Sequence, residues 1–361
     1  MNNLLKTTAL ALALGGLAAG AASAESLTVV SWGGAYTKSQ VEAYHKPYTE
    51  KTGVEIISAD YNGGLAEVKA QVEAGNVTWD LIDVELSDAV RGCDEGLFEP
   101  LDPEMLPPAP DGTPATEDFL PGTLADCAIT TIIWSTVYAY DDTKFPDEKP
   151  TTMADFFDVE KFPGKRALRK NPKATLEMAL LGDGVPAEEV YELLETAEGR
   201  DRAFAKLDSI KDHIVWWEAG AQPPQMLADG EVVMATSYNG RVFNAVAVEN
   251  KPFVIVWDGQ IWDLDMWAIP TGAPNKERAL DFIKFSTDTQ RLADQASWIS
   301  YGPARKSSVP LIGKHAVAGM DMLEHMPTAP DNFTNALQND FEFWADYQDE
   351  LNERFAAWLA Q

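Results

Sequence analysis

The sequence predicts an α/β protein folded as two lobes, and three observations predict it. Short apolar strands at residues 26–32, 54–61 and 79–85 alternate with helix-period segments, the pattern of a parallel sheet covered by helices. The length of 361 residues exceeds what one hydrophobic core usually holds. A long β-rich run at 128–140 is able to leave one sheet and enter another, and the strand at 257–270 brings the chain back. Residues 25–136 with 264–306 are expected to form lobe 1, and 137–263 with 307–361 lobe 2.

Taken in order, the opening strand runs into Gly33-Gly34-Ala35-Tyr36-Thr37, a loop that permits close backbone approach. A helix follows over 38–52, disturbed at Pro47 and ended by Gly53. A second strand, a turn at Asn62-Gly63-Gly64 and a helix over 65–74 lead to the third strand, after which Ser87 is expected to cap a helix. A Pro-rich loop occupies 100–121. In lobe 2, helices over 152–159, 173–181, 186–195 and 199–211 alternate with strands at 165–169, 213–218, 231–238 and 252–257. Helices over 275–287 and 289–298, a turn at Tyr301-Gly302-Pro303 and a terminal helix over 338–359 complete the chain.

Residues 1–24 read as a secretion signal. Lys6 gives a positive start, an Ala/Leu-rich stretch follows, and Ala22-Ser23-Ala24 is a small-x-small cleavage site. Cleavage after Ala24 and a periplasmic, unanchored protein are expected. The formal charge of −29 excludes nucleic acid and anionic membrane as partners. With two cysteines in an oxidising compartment, Cys93 and Cys127 are expected to form a disulfide.

The strand at 257–270 carries the chemistry. At a period of two, Trp262, Leu264, Met266 and Ala268 share one face, and Ile261, Asp263, Asp265 and Trp267 the other. Two carboxylates beside an indole suit an alkylammonium, which takes charge pairing, acceptors and a cation–π face. This strand is therefore expected to floor a small-molecule site. HExxH, GxSxG, P-loop, GxGxxG and SxxK motifs are missing, the four histidines fall at no metal-ligand spacing, and neither cofactor nor metal is expected. The alternative is a secreted carboxylate-dependent hydrolase using Asp263 and Asp265, which as same-face neighbours on a strand lie about 7 Å apart.

Several segments together resemble the spermidine/putrescine-binding type of periplasmic solute-binding protein from bacterial ABC importers. They are Trp32 with Tyr36, Trp79-Asp80-Leu81-Ile82-Asp83, Asp94-Glu95-Gly96-Leu97, Tyr238-Asn239-Gly240, the strand at 261–270 and Ile299-Ser300-Tyr301-Gly302-Pro303. The resemblance implies a two-lobe type II periplasmic-binding-protein fold with the ligand cleft at the hinge. It also implies no catalysis, a monomer, and a cognate ABC permease in the inner membrane. It places Trp32, Tyr36, Tyr238 and Tyr301 on the cleft walls, Asp265 as amine anchor, and Glu85 in the cleft. Asp263 stands where the family has an indole, and Arg169-Lys170-Asn171-Pro172-Lys173-Ala174 where it has a second acidic cluster. Arg241, after the Asn-Gly turn, is the candidate grip for a carboxylate. A small amine-bearing solute is expected, with 4-aminobutyrate favoured and putrescine second.

Overall fold

The computed structural model describes residues 25–361, so the secretion-signal reading of residues 1–24 lies outside the described residues. Eleven strands are present among them: β1 (Ser26–Ser31), β2 (Glu55–Asp60), β3 (Leu81–Glu85), β4 (Leu124–Ala125), β5 (Ala128–Asp141), β6 (Arg166–Arg169), β7 (Ile214–Trp217), β8 (Met234–Tyr238), β9 (Phe253–Ala268), β10 (Gly302–Pro303) and β11 (Ala336–Gln338). The main path is β2-β1-β3-β9-β5-β8-β6-β7. Its two ends are parallel, β1 pairing β2 and β3, and β6 pairing β7 and β8. The middle is antiparallel, through β3/β9, β5/β9 and β5/β8.

β5 and β9 are the long elements that both lobes share. β5 is rich in β-branched and aromatic residues and is buried along its whole length, because strands flank it on both edges and side chains cover both faces. Its pairing with β9 slips between Thr130 and Ile132 and again between Thr136 and Tyr138. Such bulges bend a strand and increase its twist, which lets one strand serve two differently oriented half-sheets. The segments expected at 252–257 and 257–270 are therefore one strand, and Gly302–Pro303 pairs with Ile132–Ile133 rather than forming a free turn.

The hydrophobic residues form a core towards each end of the sheet, and a further cluster that includes Tyr36, Trp134, Trp217, Tyr238 and Tyr301 joins the two halves. One core joins Leu27, Val29, Leu81, Ile129, Trp267, Phe282 and Ile283, with a neighbouring cluster around Val30, Ile82, Leu264 and Met266. Another joins Tyr138, Phe156, Leu168, Leu176, Leu180 and Leu207 to Trp344, Phe355 and Trp358 of the terminal helix Phe341–Leu359. That helix is further pinned by Trp344 Nε1, which donates to Glu177 Oε1 at 2.6 Å. Burial raises the Glu177 carboxyl to about 7.

Local signals explain most element ends. The helix expected over 38–52 is interrupted by a π turn, Val41–His45, just before Pro47. Proline lacks an N–H for the ladder and its ring crowds the carbonyl four residues back, so the turn widens there. The helix then stops at Gly53 with φ 77°. Ser87, in contrast, is no cap: β3 runs straight into the helix Leu86–Asp94, Glu85 takes the cap position, and the serine hydroxyl turns to Lys173.

Cys93 and Cys127 are bonded, with Cα atoms 5.7 Å apart. The bridge ties the helix Leu86–Asp94 to the start of β5 and closes a loop of 34 residues. In the chain-entropy account a loop of that size is worth roughly 4 kcal/mol. The double variant Cys93→Ser/Cys127→Ser is expected to lose about that much unfolding free energy in urea titration. Unfolded wild-type protein should show thiols to Ellman's reagent only after reduction.

Candidate functional site

The site forms where the strands end. β1 delivers Trp32 at its C-terminal end, and Gly33 and Gly34, at φ 68° and 59°, swing the chain into the helix that carries Tyr36. A side chain at position 34 is barred twice, since its Cβ would lie 2.7 Å from Arg241 Nη1. β3 ends on Glu85, which the antiparallel register sets directly opposite Asp265 of β9. β5 contributes Trp134. β8 ends on Tyr238 and passes at once into the helix Asn239–Ala247, whose first turn holds Arg241. Tyr301 follows the helix Thr289–Ala296 and packs edge-on against Tyr36, ring centroids 5.4 Å apart.

Trp32, Tyr36, Glu85, Trp134, Tyr238, Arg241, Asp265 and Tyr301 line one narrow cavity of ≈ 20 Å³. Of the residues expected from sequence, all but Asp263 are on its walls. Asp263 is buried one position too far along β9, where its carboxylate accepts the N–H of Leu264 at 2.7 Å. Trp267, the indole expected beside the acids, points into the lobe 1 core and meets Phe282 at 5.9 Å. The aromatic wall comes from other strands instead, and one member, Trp134, escaped the sequence reading.

The cavity has an acidic and a basic side. Asp265 accepts a hydrogen bond from Trp134 Nε1 at 2.9 Å. Burial, and then the neighbouring charges of Asp83, Glu85 and Asp263, hold its carboxyl well above the usual carboxylate range. Behind it, Asp83 is raised to about 7 by burial, although Gln40 Nε2 and Ser31 Oγ donate to it at 2.6 and 3.2 Å. Acids held neutral by one another and by burial are acids short of a cation.

Glu85 differs. Lys173 Nζ donates to it at 2.8 Å and Arg169 Nη1 lies 3.7 Å away. Burial pushes its carboxyl up, but the two cations outweigh burial and hold it below its ordinary value. Glu85 is thus on the wall but already neutralised. The basic segment divides: Arg169 and Lys173 turn inward onto Glu85, while Lys170 pairs with Glu218 at the surface, 3.1 Å away. Arg241 supplies the basic side. Its Nη2 donates to the Trp32 carbonyl at 3.0 Å, whereas Nε and Nη1 are buried without a partner among the described residues. A guanidinium with two unused donors can take a carboxylate through parallel hydrogen bonds. The cavity therefore suits a short solute with one ammonium, one acid group and a thin apolar middle.

Among the described residues there is no cluster of His, Cys, Asp and Glu fit to hold a metal ion, and no helix long and apolar enough to cross a membrane. Two α/β lobes joined by shared strands, with an aromatic-walled cavity that holds an acid and an arginine between them, define a solute receptor of the kind that serves ABC importers. The chain belongs to the bacterial extracellular solute-binding protein family, which it matches over residues 43–328. It is 48% identical over 344 residues, 95% of this chain and 94% of the relative, to a gamma-aminobutyric acid-binding protein of Pseudomonas aeruginosa. It is more distantly similar to the spermidine/putrescine-binding periplasmic protein of Salmonella typhimurium, at 24% over 309 residues and 81% of each chain. A solved structure named the Atu4243-GABA receptor superimposes with a TM-score of 0.77 at 32% identity, covering 93% of this chain and 98% of that one. None of these names lends support to a hydrolase.

Proposed function

We propose that the protein captures 4-aminobutyrate, or a closely similar ω-amino acid, and delivers it as a monomer to a cognate ABC permease in the inner membrane. In this reading Arg241 grips the carboxylate and Asp265 receives the ammonium. Trp32, Tyr36, Trp134, Tyr238 and Tyr301 wall the methylene chain and supply cation–π faces. The single observation that carries it is the pair of unused, buried Arg241 donors in the same cavity as an acid that lacks a cation. The similarity to a relative named for gamma-aminobutyric acid points the same way. Export with cleavage after Ala24 belongs to this reading.

Lobe 1 is proposed as 25–136 with 264–306, and lobe 2 as 137–263 with 307–361. The two end cores support that division, as does the register slip at Thr136/Tyr138, while a cluster that includes Tyr36, Trp134, Trp217 and Tyr238 spans the junction. The lobes hinge there and close on the solute, whose contacts to both stabilise the closed state.

Calorimetric titration of the wild-type protein tests the ligand. 4-Aminobutyrate is expected to bind tightly, raise the melting temperature and be recovered unchanged, with putrescine far weaker. Tighter binding of putrescine would overturn the zwitterion reading, and recovery of altered 4-aminobutyrate would revive the hydrolase.

A further inference from the structure

We infer that Lys173 is the specificity residue that limits this cleft to ligands bearing a single ammonium group. The inference rests on the binding reading above and goes past it, because Lys173 lies outside the set that grips the ligand. Glu85 is a wall residue of the cavity and stands directly opposite Asp265 across β3 and β9. Two neighbouring free carboxylates there would form a receptor for a diamine. Only one is free. The Lys173 ammonium, itself 5% exposed, holds Glu85 Oε2 at 2.8 Å and Ser87 Oγ at 2.6 Å. The protein's own lysine thus occupies the place of a second ligand ammonium.

Its setting indicates that the placement is maintained against local preference. Lys173 stands just before the N-terminus of the helix Thr175–Gly182, where the helix dipole disfavours a cation. The next residue, Ala174, is held at φ 66°, a left-handed conformation that costs a non-glycine residue free energy. The N–H of Lys173 itself donates to Asn171 Oδ1 at 2.9 Å. A surface lysine needs none of this. A diamine entering the wild-type cleft meets one carboxylate without a cation, Asp265, and three cations, Lys173, Arg169 and Arg241, so its second ammonium is desolvated without a partner.

A purely mechanical role is the competing account, since Lys173 comes from lobe 2 and Glu85 from lobe 1, and their contact would also help hold the cleft shut. The two accounts differ in ligand preference. Putrescine and 4-aminobutyrate are titrated at pH 8 into wild type, Lys173→Met and Glu85→Gln/Lys173→Met. Lys173→Met leaves Glu85 with Arg169 alone, 3.7 Å away, and is expected to strengthen putrescine binding at least tenfold, with 4-aminobutyrate unchanged or weaker. Removing both charges in the double variant should return putrescine to its wild-type level. If Lys173→Met weakens both ligands by the same factor, the contact is a latch and the inference fails. Should Lys173→Met not fold, Lys173→Gln, which keeps a donor for Glu85, carries the same comparison. Weak 4-aminobutyrate binding by wild type would defeat the proposed function alone, because the putrescine gain is read against wild type regardless of the natural ligand.

Discussion

Arg241→Ala is expected to weaken 4-aminobutyrate binding by roughly 30-fold to several thousandfold, the range that follows from about 2–5 kcal/mol for truncating one partner of a buried, hydrogen-bonded charge pair. The loss comes almost wholly from the bound state. In the empty protein Nε and Nη1 of Arg241 have no partner among the described residues, so removing the guanidinium there deletes a buried cation at the loss of one hydrogen bond, from Nη2 to the Trp32 carbonyl. The melting temperature of the empty variant should accordingly stay near that of wild type. Arg241→Lys is expected to recover only part of the affinity, because an ammonium keeps the charge but not the two-pronged geometry. Calorimetry on the three proteins decides the matter. An Arg241→Ala protein that binds 4-aminobutyrate as wild type does would remove the basis of the zwitterion reading.

How far this site could be read from sequence depends on the range of the contact concerned. Trp32, Tyr36 and Tyr238 were legible through the resemblance to the spermidine/putrescine-binding type, and the structure has them where a strand stops and a turn or helix begins, the open end of a parallel sheet where ligands gather. The parity of β9 was legible too: Leu264, Met266 and Ala268 do share a core face opposite Asp265. Parity alone, however, does not say what covers a face. Asp263, Asp265 and Trp267 share theirs, yet β9 runs through two lobes. By position 267 the cover is the helix Lys276–Ser286 with Phe282, not a cleft. Trp134 was hidden because its role depends on the β5/β9 register, which sets it opposite Asp263 and within reach of Asp265. Lys173 was read as one of a basic run. That it reaches Glu85, 88 residues away in sequence, is a tertiary fact with no local signature.

The second large effect concerns Asp265, and its sign can be worked out. Its carboxyl is held above the ordinary range by burial and by Asp83, Glu85 and Asp263, and Asp83 beside it is raised to about 7. Lys173 and Arg169 compensate Glu85, and no cation is among the main influences on Asp265. A carboxyl whose folded-state value exceeds its unfolded one binds protons more tightly when folded. These acids therefore contribute stability that is fully present where they are protonated and is lost as pH rises above about 4, through about 7 for Asp83. The ammonium of 4-aminobutyrate reverses this, because it favours the charged form. That ligand stays zwitterionic across the window, its carboxyl titrating near 4 and its amine near 10. Binding near neutral pH should thus release protons. The ligand-induced rise in melting temperature should be larger at pH 8 than at pH 5. Asp265→Asn is expected to abolish measurable binding while stabilising the empty protein at pH 8 and leaving it little changed at pH 5. Melting curves at the two pH values, with calorimetry in buffers of different ionisation enthalpy to count the protons, measure all of this. A ligand-induced shift independent of pH, with no proton released, would show that the ammonium is not received by this cluster of acids.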